Sequence, residues 1–210
     1  MLTNTQKEEL ALAQRFLNDS GFQYTNIESR LPPEPDIFAI IDNRNIGIEV
    51  SVFHADRSTN HKSNGSLLRQ EAEKAAKEAP DKPHPMSVPV LPYEALEIII
   101  NDKIGKAEKY DLTLAEELWL LIPAQQPTLG ALAPTFAVST FIDVNELNRR
   151  FHENLLHSRF NCVCWHLNMY HAIYGWDRSR RWHIVRQGNP PDTSGMEALN
   201  KIRRGARPHG

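Results

Sequence analysis

Near the start of the chain apolar residues recur at helical spacing. Leu10, Ala13, Phe16 and Leu17 fall on one face, and Gly21 is placed to stop a helix. Ahead of them Thr5-Gln6-Lys7-Glu8 has the form of a capping box, in which a hydroxyl and a carboxylate each satisfy an orphan N–H of the first turn. The period then changes to two. Residues 22–29 alternate weakly, as a strand would, and Leu31-Pro32-Pro33-Glu34-Pro35 excludes a helix, because proline removes donors and restricts the residue before it. Residues 36–41 and 46–52 are rich in β-branched side chains and flank Asp42-Asn43-Arg44-Asn45, which predicts two strands around a turn. On the second strand Ile48, Val50 and Val52 share one face, and Gly47, Glu49 and Ser51 share the other.

Further along, residues 66–79 read as a charged helix, and the proline-rich stretch 79–92 as an irregular connection. A second strong helix starts at Leu91 or Pro92 and runs to about Tyr110. Residues 116–122 hold the apolar run Leu118-Trp119-Leu120-Leu121-Ile122, a strand, and a further short strand is expected within 131–141. Asp143 is placed to cap a helix to about His157, residues 160–167 form another strand, and residues 174–186 a hairpin across Asp177-Arg178-Ser179-Arg180. The polar remainder carries one short helix at 196–203.

Composition places these elements in one ordinary globular domain. The chain has 210 residues, 40% of them apolar and 24% charged, with no apolar run approaching the about 20 residues of a membrane helix. The first residues lack the basic and apolar stretches of a signal peptide, and Cys162 and Cys164 sit too close in sequence to staple a fold, so a reducing cytoplasmic setting is expected. The net charge of −2 conceals a gradient. Residues 1–140 carry 13 basic and 20 acidic groups, whereas residues 141–210 carry 11 basic groups, ten of them Arg, and 6 acidic ones. This excludes a uniformly basic nucleic-acid coat and allows an acidic site beside a basic docking face.

The chemistry concentrates in the two strands around the turn. Asp36 enters the first and Glu49 lies within the second, so a hairpin brings both carboxylates to adjacent strands. With a backbone carbonyl such as that of Val50 they make an all-oxygen site of the kind Mg²⁺ prefers, leaving room for water and phosphate. Pro35-Asp36, twelve intervening residues and then Glu49-Val50-Ser51, within the order helix, three strands, helix, strand, resembles the signature of the PD-(D/E)XK nuclease superfamily. The resemblance implies an α/β restriction-endonuclease-like fold: a mixed sheet flanked by helices, with an αβββαβ core over about 5–167. To this the chain adds a C-terminal hairpin at about 174–186, making one domain over 1–188, and a polar, basic tail at 189–210. It also implies a metal-dependent endonuclease using Mg²⁺ or Mn²⁺, with Asp36, Glu49 and Val50 as metal ligands and a contribution from Glu9 on the first helix. Glu8 is better explained as the helix cap.

One position departs from that pattern. The family places Lys two residues after the Glu, where this chain has Ser51, and a serine supplies no cation. Ile99, Lys103, Lys106 and Tyr110 form one helical stripe, and Lys106 with Tyr110 resembles a helix motif of some superfamily members, so Lys103 or Lys106 is the substitute expected. His54 could act as acid or base near the site, or simply be solvated, and Arg69 with Glu73 makes a surface pair. Trp176 and Trp182 flank Arg178, Arg180 and Arg181, an arrangement that suits phosphates and exposed bases, the alternative being a plain exposed hairpin. Arg203, Arg204 and Arg207 add non-specific attraction at most. Cys162, Cys164 and His166 alternate on one strand face over about 13 Å, too far for one zinc ion, and read as core-filling. The expected function is hydrolysis of phosphodiester bonds in DNA, for which a homodimer would suit double-strand cutting. The alternative is a catalytically inactive domain on the same scaffold that binds nucleic acid or protein.

Overall fold

Helix α1 (Asn4–Ser20) opens on a capping box two residues earlier than the sequence predicts. Thr3 Oγ1 accepts from the Gln6 N–H at 3.2 Å, and Gln6 Oε1 accepts from the Thr3 N–H at 2.9 Å. Thr3 takes the role because it has the extended backbone a cap requires (φ −67°, ψ 166°), while Thr5 already lies inside the helix. Gln6, not Glu8, is therefore the reciprocal partner. The helix ends at Gly21, whose φ of 78° is left-handed and costs little without a Cβ. The computed structural model describes residues 2–53, 92–124, 142–167 and 172–187. The elements expected at 66–79, 131–141 and 196–203 lie outside them, as does all but Pro92 of the connection expected at 79–92.

Three antiparallel strands follow: β1 (Tyr24–Ser29), β2 (Ile37–Ile41) and β3 (Arg44–Val50). The β2–β3 turn is shorter than expected. Only Asp42 and Asn43 lie outside the ladder, at φ 48° and 63°, and Ile41 already pairs with Arg44. Two positive-φ residues give the primed turn whose twist matches a hairpin, and Asp and Asn tolerate that conformation well. The strand element ends at Val50, but the Ser51 N–H still donates to Leu121 O and the Phe53 N–H to Pro123 O.

The remaining elements are α2 (Pro92–Ala107), β4 (Glu117–Ala124), α3 (Val144–Leu156), β5 (Cys162–Leu167), β6 (Ala172–Asp177) and β7 (Arg181–Arg186). Helix α2 stops three residues short of Tyr110, and α3 has the predicted Asp143 cap, whose carboxylate accepts from the Asn145 N–H. All seven strands form one sheet in sequence order. Pairs β3–β4 and β4–β5 are parallel and the others antiparallel, so the fold is α/β with a mixed sheet. The apolar run of β4 follows from its place at the centre, where both faces are covered.

Two cores result. On one face Leu12, Ala13, Phe16 and Leu17 of α1 pack on Ile37, Ala39, Ile46, Ile48, Val50 and Leu121. On the other, Leu96, Ile99 and Ile100 of α2 and Leu147, Phe151 and Leu155 of α3 cover Leu118, Leu120, Ile122, Val163 and Trp165. Among the described residues no helix is long and apolar enough to cross a membrane.

Gly47 marks where backbone and loop come closest. A Cβ there would lie 2.8 Å from Pro35 Cγ and 3.4 Å from the Ala115 side chain. Gly47→Ala should therefore push Pro35 aside and destabilise the protein by about 1–3 kcal/mol, the usual cost of overpacking, measured as a lower urea midpoint at unchanged slope.

Candidate active site

Asp36 stands immediately before β2, and its backbone is fixed by the Arg30 N–H, which donates to its carbonyl at 2.8 Å. Its carboxylate turns across the hairpin, and Oδ2 accepts the Val50 N–H at 2.9 Å. Glu49 is the preceding residue of β3 and is only 4% exposed. The alternation of β3 puts Glu49 on the face opposite Ile48 and Val50, towards α2, and small Gly47 lies beside it on that face. The hairpin thus brings the Asp36 carboxylate, the Val50 backbone and the Glu49 carboxylate into one neighbourhood.

Helix α2 supplies the cation. Lys103 Nζ lies 2.5 Å from Glu49 Oε1, with the two side chains 13% and 6% exposed. Lys106 does not join it: its side chain is 54% exposed and bonds Asp102 one turn back at 2.9 Å. The stripe splits because the buried line of the helix runs through Leu96, Ile100 and Ala107; Lys103 lies close to it and Lys106 falls on the rim. Tyr110, in the turn after the helix, stands beside the Glu49 carboxylate, and burial together with the charge of Glu49 pushes its phenol up. That turn is anchored twice. The Asp111 N–H donates to Pro33 O at 3.0 Å, and the Arg159 guanidinium donates to the carbonyls of Ala107 and Tyr110 at 2.8 and 3.2 Å. Nothing in the sequence signals Arg159, since its contacts lie about 50 residues away and form only after folding.

The electrostatics are unbalanced. Burial and then the charge of Glu49 push the Asp36 carboxyl up to about 7, against the pull of the Val50 N–H and Lys103. Burial and Glu49 also raise Glu9 on α1. Among the described residues three carboxylates therefore share one lysine, and oxygen donors with surplus negative charge suit a hard divalent cation. Among the described residues no three His, Cys, Asp or Glu side chains form a group able to hold a metal. Asp36 and Glu49, with a backbone carbonyl and solvent, are the oxygen donors that could hold such a cation, and Glu9 stands beside them as an electrostatic neighbour. Ser51 contributes a backbone bond to Leu121 beside the site. His54, Arg69, Glu73, Arg203, Arg204 and Arg207 lie outside the described residues.

The C-terminal hairpin differs from the expected base-stacking surface. Trp176 and Trp182 form a register pair facing α3 and are buried at 0% and 2% exposure. Trp176 Nε1 donates to His152 Nδ1 at 3.1 Å, and Trp182 meets Phe151 edge-on. Neither offers a face to a base, because strand alternation turns both inward. Arg178 is also committed: it donates to Leu156 O and Ser158 O at 2.8 and 2.7 Å, satisfying carbonyls at the end of α3. Arg180, paired with Asp177, and Arg181 remain on the surface. Cys162 and Cys164 lie side by side with sulfurs 3.5 Å apart, and His166 turns away to bond Asp19 at 2.9 Å. Their mutual hydrogen bond and burial hold the Cys162 thiol well above its usual range.

Asp177 links this hairpin to pH. Burial pulls its carboxyl up, but hydrogen bonds from Ser179 and Arg180 outweigh that and bring it to about 2. A depressed folded-state value stabilises the protein above the unfolded value of about 4, and that stability is lost as pH falls towards 2. Asp177→Asn should cost on the order of 1–2 kcal/mol at neutral pH, and urea unfolding of mutant and wild type should converge near pH 2.

Compared with protein-family models, with curated proteins and with solved structures, the chain finds no match.

Proposed function

We propose that the protein is a divalent-metal-dependent nuclease with a restriction-endonuclease-like core, hydrolysing phosphodiester bonds in DNA. The observation that carries this reading is the buried Lys103–Glu49 pair beside Asp36, on an acidic hairpin whose neighbouring helix supplies the lysine missing at Ser51. The order helix, three-strand meander, helix and parallel strand supports the same reading.

Asp36 and Glu49, with the Val50 carbonyl, would hold Mg²⁺ or Mn²⁺. Bound there, the cation would polarise a phosphoryl oxygen and lower the pKa of a water. The chain's own groups do the rest. Lys103 places positive charge where the phosphoryl oxygens gain negative charge in the transition state. The Val50 N–H restrains Asp36. Water adds to phosphorus, the bridging P–O bond breaks, and the products are a phosphomonoester and an alcohol. Arg180 and Arg181 offer surface charge to the phosphate backbone.

One observation favours a second reading. Lys103 already neutralises Glu49, so this carboxylate has a partner without a metal, as it would in a non-catalytic binding domain on this scaffold. Cleavage assays on single- and double-stranded DNA with Mg²⁺ or Mn²⁺ separate the two. Asp36→Ala and Glu49→Ala should each lower the rate by at least about 10²–10³-fold, the scale of losing one transition-state contact. Equal cleavage by wild type and both variants would remove the site assignment. Salt-dependent binding without cleavage would establish the second reading.

A further inference from the structure

Among the described residues a single buried cation faces three acidic side chains here, and it is bonded to a carboxylate that the metal-dependent reading also requires. Lys103 Nζ reaches Glu49 Oε1 at 2.5 Å, whereas Asp36 places one oxygen on the Val50 N–H. Glu9 and Asp36 both sense the charges of Glu49 and Lys103, so the four groups form one electrostatic unit. An ammonium only 13% exposed is tolerable because it is paired, and a carboxylate 6% exposed is tolerable for the same reason. Glu49 cannot lose its partner without a replacement of like charge.

We propose that Lys103 is an internal counter-ion. It occupies Glu49 in the cation-free protein, gives way when a divalent cation binds, and thereby sets the affinity of the site for cations. This rests on the metal-dependent reading of the site. The ammonium and a divalent cation repel, and both seek the same buried oxygen, so they compete for Glu49 rather than reinforce each other. The lysine can move without disturbing the fold, because its charge sits on a flexible four-carbon stem while Ile99 and Ile100, on the same helix, remain packed in the core. A released ammonium close to the bound cation is then available to a phosphate oxygen.

The competition predicts an effect opposite to that of an ordinary supporting residue. Lys103→Met and Lys103→Gln should bind Mn²⁺ at least tenfold more tightly than the wild type, read without nucleic acid by the paramagnetic resonance signal of free Mn²⁺. Mn²⁺ should also raise the thermal midpoint of these variants more than that of the wild type. Lys103→Arg, which keeps the charge, should not gain affinity, and Glu49→Gln should lose binding in either background. Equal or weaker Mn²⁺ binding by both neutral variants overturns the proposal, as does absence of Mn²⁺ binding from every protein in the series. Wild-type DNA cleavage with unchanged affinities would reject the counter-ion role alone. The expected order of affinities without any cleavage would support it and reject the nuclease reading.

Discussion

A carboxylate that is 4% exposed must either lose its charge or be paired, and Glu49 is paired. Much of the arrangement around it answers that demand. Helix α2 must present Lys103 towards β3 at one rotation about its axis, and the turn beyond must bring Tyr110 to the same group. The turn is in turn held by Pro33 and Arg159. Removing one member of a buried ion pair typically costs about 3–5 kcal/mol, because the other is stranded. Replacing both by well-packed apolar groups is often neutral, so stability gives little reason for a charged pair at this place. If the site binds a cation as proposed, its position beside Asp36 gives a chemical one.

The two faces of the sheet divide the work. Beneath α1 the contacts are almost wholly apolar, from Ile37 to Ile48 and Val50. The face under α2 and α3 is equally apolar at its centre, but it becomes polar at Glu49, where the neighbouring β3 residue on that face is Gly47. The small residue lets Pro35 approach closely, and Pro35 leads directly into Asp36. Packing and chemistry thus meet within one hairpin. At the far side of the sheet the indoles of β6 and β7 fill the core against α3, and the arginine next to them closes a helix end.

Local pattern made much of this legible. The primed turn, the apolar run of β4 and the Asp143 cap are all written in neighbouring residues. The errors arose where tertiary contacts decide. Thr3 and Thr5 are both plausible caps, and only the backbone at Thr3 separates them. Lys103 and Lys106 share a stripe by periodicity, and the buried line of α2 through Leu96, Ile100 and Ala107 takes in one and leaves the other on the rim. Trp176 and Trp182 look like a surface pair because arginines surround them, yet a period of two sends residues next to an exposed arginine inward. Proximity of Asp36 to Glu49 followed from the hairpin, whereas the Arg159 clamp, spanning about 50 residues, left no local trace.

The two-residue turn at Asp42 and Asn43 also determines what kinds of change the molecule can accept. Side chains alternate faces along a strand, so adding or deleting one residue in the turn and sliding β3 by one place would send Glu49 beneath α1 and an isoleucine or valine towards Lys103. Substitution at the turn costs conformational energy at two positions. A change of length exchanges the acidic and apolar faces of the whole strand. The thirteen-residue interval from Asp36 to Glu49 is therefore a constraint on insertions and deletions, and a descendant of this chain could vary the identity of the turn far more freely than its length.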